Sequence, residues 1–163
     1  MPRSLVVAAL AAMLLSSTAG AAGAQVGSGS AGAVSSEASE AAAVVDAFHA
    51  ALKANETDKA LALLAEDVMV LEEGGAERSR DEYAAHHLEA DASFAAVTEA
   101  KTTRRAGWAD GAVAWVTSEG RTTGLAGDRT IDRLTVETMV LKRGPDGWRI
   151  QHIHWSSRAA PAA

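Results

Sequence analysis

The stretch Glu137–Ser157, ETMVLKRGPDGWRIQHIHWSS, decides the architecture. Around its start, Thr135, Glu137, Met139 and Leu141 alternate with Leu134, Val136, Thr138 and Val140, the period of two that a half-buried strand needs. Gly144-Pro145-Asp146-Gly147 then breaks the run. Proline presets one turn dihedral, and glycine accepts the positive φ that other residues avoid. Trp148–Ser157 resumes as a second strand, so the two must lie antiparallel across a tight turn.

Working outward, Val97–Trp108 leads through Ala109-Asp110-Gly111 into Ala112–Thr123, where Val113, Trp115 and Thr117 share one side. Gly124–Asp128 turns the chain into Thr130–Lys142. Four long strands in an antiparallel meander are therefore expected. Upstream the period changes to that of helices. From Glu37 to Leu52, the residues Val44, Val45, Phe48 and Leu52 form one stripe. Asn55–Asp58 breaks this helix and caps a second, short one with Leu61, Leu63 and Leu64 as its apolar residues. Val68–Leu71 reads as a short strand that Glu72-Glu73-Gly74-Gly75 ends. Ser79 with Glu82 has the spacing of a capping box, opening a third helix through Tyr83, His86, His87, Asp91 and Phe94. Tyr83, Ala90 and Phe94 fall on one face of that helix, with His87 near its centre and His86 on the opposite shoulder. The expectation is an α+β fold, three N-terminal helices packed on a strongly curved antiparallel sheet, with a pocket in the concavity.

The 163 residues suffice for one domain with a real core. Residues 1–24 differ from the rest: Arg3, an apolar run from Leu5 to Leu15, and the small residues Ala22-Gly23-Ala24 have the form of a secretory signal peptide. Residues 25–36, rich in Gly, Ser and Ala, read as a flexible linker, 37–158 as the domain, and 159–163 as a disordered tail. The expected product is periplasmic or secreted, without membrane insertion after cleavage of the signal. The chain has no cysteine, which excludes disulfides and a lipidated cysteine. A net charge of −6 with scattered basic residues argues against nucleic acid as a partner.

The element order, with the segments ALALLAEDVMVLEEGG, SRDEYAAHH and ETMVLKRGPDGWRIQHIHWSS, resembles the SnoaL-like and DUF4440 branch of the nuclear transport factor 2-like superfamily. The closing strand is also similar to the association domain of calcium/calmodulin-dependent kinase. The resemblance covers roughly residues 37–158. It implies a cone with a pocket at its wide end, a homodimer formed through the sheet, and a small-molecule ligand. It does not imply one reaction, because relatives include isomerases, dehydratases, polyketide cyclases and oligomerisation modules.

Candidate chemistry centres on histidine. His152 and His154 lie two apart on a strand, so they share a face about 6–7 Å apart. His87, Asp91, His152 and His154 are the candidate catalytic residues for isomerase or lyase chemistry, since a neutral imidazole moves protons and a carboxylate one turn away fixes its tautomer. Tyr83, Phe94, Thr117, Glu137, Met139 and Trp155 are expected to line the pocket. No cofactor is required by this reading. The first alternative is a periplasmic zinc or copper site made by His86 or His87 with His152 and His154. The second is a non-catalytic dimerisation or interaction module.

Overall fold

A computed structural model of the protein describes residues 33–161. The expected signal peptide, most of the expected linker and the last two residues of the tail lie outside the described residues. A 3-10 turn at Ser36–Ala38 precedes helices α1 (Ser39–Lys53) and α2 (Thr57–Ala62). Strands β1 (Leu64–Glu72) and β2 (Gly75–Glu77) follow, then helices α3 (Arg80–His86) and α4 (Leu88–Val97). The meander is β3 (Thr98–Asp110), β4 (Val113–Ala126), β5 (Arg129–Gly144) and β6 (Gly147–Ala159). The described part of the expected linker is attached: Val34 bridges Gly107, and the Ser35 amide donates to the Gly107 carbonyl at 3.0 Å.

The six strands form one curved, open sheet in the order β2-β1-β6-β5-β4-β3. The meander pairs antiparallel as its turns require, whereas β1 runs parallel to β6. The sheet expected as antiparallel is therefore mixed at this pair, because no turn joins β1 to β6 to set their relative direction. The hairpin β1–β2 was not anticipated. Glu73 and Gly74 form its two-residue loop, both at positive φ (47° and 87°). That backbone favours Asn-Gly or Gly-Gly, and glutamate at its first position hides the signal.

The expected third helix is two helices. At His87 the backbone leaves helical values (φ −123°, ψ −30°), and Leu88 starts α4. The Ser79 cap is as expected, its hydroxyl accepting from the Glu82 amide at 3.1 Å while the Glu82 carboxylate accepts from the Arg78 amide.

Two extra residues bend the sheet. Thr103 is unpaired between Thr102↔Gly120 and Arg104↔Glu119, and Gln151 is unpaired between Leu141↔Ile150 and Val140↔His152. Such bulges increase local twist and bend the strand. Gly120 sits beside the first of them. A Cβ there would lie 2.8 Å from the Lys101 carbonyl oxygen, so only glycine admits that close approach.

The core lies between the helices and the inner face of the sheet. Val45, Phe48 and Leu52 of α1 and Tyr83, Leu88 and Ala92 of α3 and α4 meet Val68 and Val70 of β1, Val116 of β4, Met139 and Leu141 of β5, and Ile150 and Ile153 of β6. Burying a side chain of this kind contributes about 1.5–3 kcal/mol, and here the contributions come from every layer. The core occupies one end of the concavity; the other end stays open.

Candidate functional site

That open end is a cavity of about 770 Å³ between α1, α4 and the inner face of β3–β6. Its walls include Phe94, Ile131 and Trp155 as apolar surface, with His49, Glu72, His87, Asp91 and Glu137 among the polar groups. An enclosure of this size, apolar in part with a few convergent polar groups, is the usual form of a small-molecule site.

One end of the cavity is built by the break at His87. In a continuous helix, residues eight apart are separated by about 12 Å along the axis. With the break, the Tyr83 hydroxyl donates to Asp91 Oδ2 at 2.8 Å. Tyr83 is fully buried, and burial together with the Asp91 charge pushes its phenol far above the usual range, so it serves as a neutral donor. Burial pushes the Asp91 carboxyl up; the Tyr83 hydrogen bond and nearby His87 offset part of the rise, and Glu77 adds to it. Glu72 is raised as well, first by burial and then by the charge of Asp91. His87 Nδ1 pairs with Glu77, which is 6% exposed. The groups form an acid-rich end in which Asp91 and Glu72 hold their protons more tightly than free carboxylates do.

The second end is Glu137, 9% exposed, on β5. Its Oε2 accepts from Trp155 Nε1 at 2.8 Å and pairs with His49 Nε2 at 2.7 Å. Its Oε1 has Ser118 Oγ at 3.4 Å. Arg105 donates from Nε to Ser118 Oγ at 3.2 Å and pairs with Asp46. Burial pushes the Glu137 carboxyl up, but the hydrogen bonds from His49 and Trp155 and the charge of Arg105 outweigh it and hold the group below its ordinary range. Phe48 stacks on Trp155 with ring centroids 6.3 Å apart and fixes the indole.

The structure brings together His87, Asp91, Phe94, Glu137 and Trp155 at the cavity, with Tyr83 directly behind Asp91. It does not bring the other candidates there. Met139 is a fully buried core residue, and Thr117 points to the outer face of the sheet, as its neighbour Ser118 points inward. His152 and His154 also face outward. Ile153 and Trp155 point into the core and cavity, so the residues alternating with them point away. His152 Nδ1 instead meets the Met69 carbonyl oxygen at 2.9 Å, His154 is exposed, and His86 is exposed on α3. The expected convergence of helix and strand histidines therefore fails, and among the described residues no group of three or more His, Asp or Glu side chains is placed to hold a metal ion. Asp91 does not orient His87 as expected: Tyr83 holds Asp91, and Glu77 holds His87.

Sequence reasoning missed His49, Glu72, Glu77, Ser118 and Arg105. His49 and Glu137 are 88 residues apart, and no local pattern links them. Glu72 read only as part of the break that ends β1, because the cavity it lines is assembled from elements later in the chain.

An open curved sheet closed by helices over a pocket is the nuclear transport factor 2-like cone. Residues 41–161 match the SnoaL-like domain, and the chain belongs to that family. Among solved structures, it is similar to a candidate ketosteroid isomerase from Shewanella frigidimarina, at 36% identity over 76% of this chain and 100% of the other, with a TM-score of 0.71. A candidate dehydratase of the same superfamily from Streptomyces avermitilis shares the fold at 22% identity and TM-score 0.63, over 76% of this chain and 97% of the other. A candidate calcium/calmodulin-dependent protein kinase II association domain from Xanthomonas campestris does so at 22% identity and TM-score 0.62, over 79% and 91%. No protein of curated function matches.

Proposed function

We propose that this SnoaL-like domain binds a small, partly apolar carbonyl compound in its cavity and rearranges or dehydrates it by proton transfer. The observation that carries this reading is the hydrogen bond from buried Tyr83 to Asp91 on the cavity wall, beside Glu72. Two carboxyl groups with raised proton affinity can donate hydrogen bonds to a developing oxyanion, which a solvated carboxylate cannot do. The likeness to the Shewanella protein, a candidate isomerase, supports the same chemistry. His87 sits at this end and assists as the imidazole partner.

The test is a ketone panel screened against the purified domain by ligand-observed NMR and by UV-monitored isomerisation. Asp91→Asn is expected to lower turnover by about 10²–10⁴-fold, the range for a positioned acid or base. Unchanged turnover in that variant would remove Asp91 from the chemistry. The sequence reading of a signal peptide supports an exported protein, which N-terminal sequencing of cell fractions checks. The partner proposed for the outer sheet face is a second copy of this chain: association-domain-like neighbours and exposed Trp108 and Trp115 support a homodimer.

A further inference from the structure

We infer that Glu137 is the base of the cavity, acting through Oε1, with His49 and Trp155 as its positioning residues; this rests on the proton-transfer reading above. The argument begins with an asymmetry in one carboxylate. Both strong contacts, from His49 at 2.7 Å and Trp155 at 2.8 Å, fall on Oε2. Oε1 has only the Ser118 hydroxyl at 3.4 Å, beyond the usual 2.5–3.0 Å of a hydroxyl hydrogen bond. An ionised carboxylate has about four lone-pair sites, and on Oε1 only the long Ser118 contact engages any of them. Here one oxygen is anchored and the other is left for whatever occupies the cavity that Glu137 lines.

The surroundings keep Glu137 in the ionised form that a base needs. The groups around Glu137 are His49 of α1, Ser118 of β4 and Trp155 of β6, with Arg105 of β3 held between Ser118 and Asp46 of α1. Burial opposes ionisation, but the donors and Arg105 prevail, so the carboxylate is present from mildly acidic pH upward. At the other end of the cavity, burial drives Asp91 and Glu72 the opposite way. Two sets of carboxyl groups pushed apart in one cavity separate into base and acid.

The step balances as follows. Glu137 Oε1 takes the proton from the carbon next to a substrate carbonyl, and a new O–H bond forms as the C–H bond breaks. The released pair becomes the C=C bond of an enolate, and the charge moves to the carbonyl oxygen. That oxygen receives a hydrogen bond from a protonated carboxyl at the acid end. Returning the proton from Glu137 to the γ-carbon of a β,γ-unsaturated ketone restores the carboxylate and gives the conjugated product.

The probe is 3-cyclohexen-1-one, with conversion to 2-cyclohexen-1-one followed by UV absorbance and exchange of ring protons in D₂O followed by NMR. Glu137→Gln is expected to lower kcat by about 10²–10⁴-fold. Trp155→Phe keeps an aromatic side chain and removes one donor from Oε2, so the acidic limb of the pH–rate profile should move to higher pH. A merely structural Trp155 would leave that limb in place. A folded Glu137→Gln with wild-type turnover, while Asp91→Asn is impaired, overturns the base assignment and leaves the proposed function standing. A wild-type domain that neither converts nor exchanges the probe overturns both. If Glu137→Gln does not fold, the Trp155→Phe profile decides, and an unmoved limb counts against Glu137.

Discussion

Asp91 and Glu72 give up something in stability by being buried, and pH exposes it. Asp91 and Glu72 bind protons more tightly in the folded chain than in the unfolded one. Their contribution to stability is therefore full below the ordinary carboxylate range and is lost as pH rises through their raised folded values. Glu137 has the opposite sign: its contribution is present above the ordinary glutamate value and is lost as pH falls through its depressed folded value. Glu72→Gln should accordingly raise Tm at about pH 7 and leave it unchanged near pH 4, where ordinary carboxylates are half-protonated, as calorimetry at both pH values would show. Tyr83→Phe removes the donor from a buried carboxyl and should destabilise the fold by about 1–3 kcal/mol in urea titrations. It should also raise the Asp91 pKa further, which carboxyl ¹³C NMR detects. Glu73, at φ 47°, occupies a conformation that asparagine tolerates better, so Glu73→Asn should raise Tm modestly.

At the scale of elements, the bends matter more than the strands. Gly120→Ala forces a methyl group to within 2.8 Å of the Lys101 carbonyl oxygen, and the β3–β4 pairing must shift. Chemical denaturation should register about 1–3 kcal/mol, the range for overpacking. The same devices set the limit of what was legible in the chain. Alternation, the Gly144–Gly147 turn and the Ser79 cap were all visible, because each depends on residues close in sequence. The bulge at Gln151 was not. Strict alternation from Ile150, which points inward, would carry His152 and His154 into the cavity and turn Trp155 out. One unpaired residue reverses that order, so the histidine pair that drew attention faces away while Trp155 reaches Glu137. The break at His87 acted likewise, since a continuous helix keeps Tyr83 and Asp91 apart. His49 with Glu137 is a product of tertiary packing, with α1 laid across β5 and no spacing to announce it.

For the whole molecule, the outer face of the sheet is the part left without a layer. Pairing places Trp108, Trp115, Val140, His152 and Met69 in one row across β3, β4, β5, β6 and β1. Three of these five are exposed large apolar side chains, and a second copy laid on the row would cover them. The expected molar mass by light scattering is twice that of one chain. Trp115→Glu should return the protein to a monomer while the cavity, on the opposite face, keeps its turnover.

The bridge between Val34 and Gly107 has a consequence for where the chain can be shortened. β3 is a thirteen-residue strand at the rim of the sheet, and the segment before α1 crosses it at Gly107. At the opposite rim β2 is only three residues long. Long open rims recruit other chains, whereas short ones do not. The family match begins at residue 41, so a protein trimmed to that boundary would lose the Val34 strap on β3 and the buried Ala38 with it. Such a product would be expected to aggregate by strand addition, and a version starting before Ala33 would stay in solution.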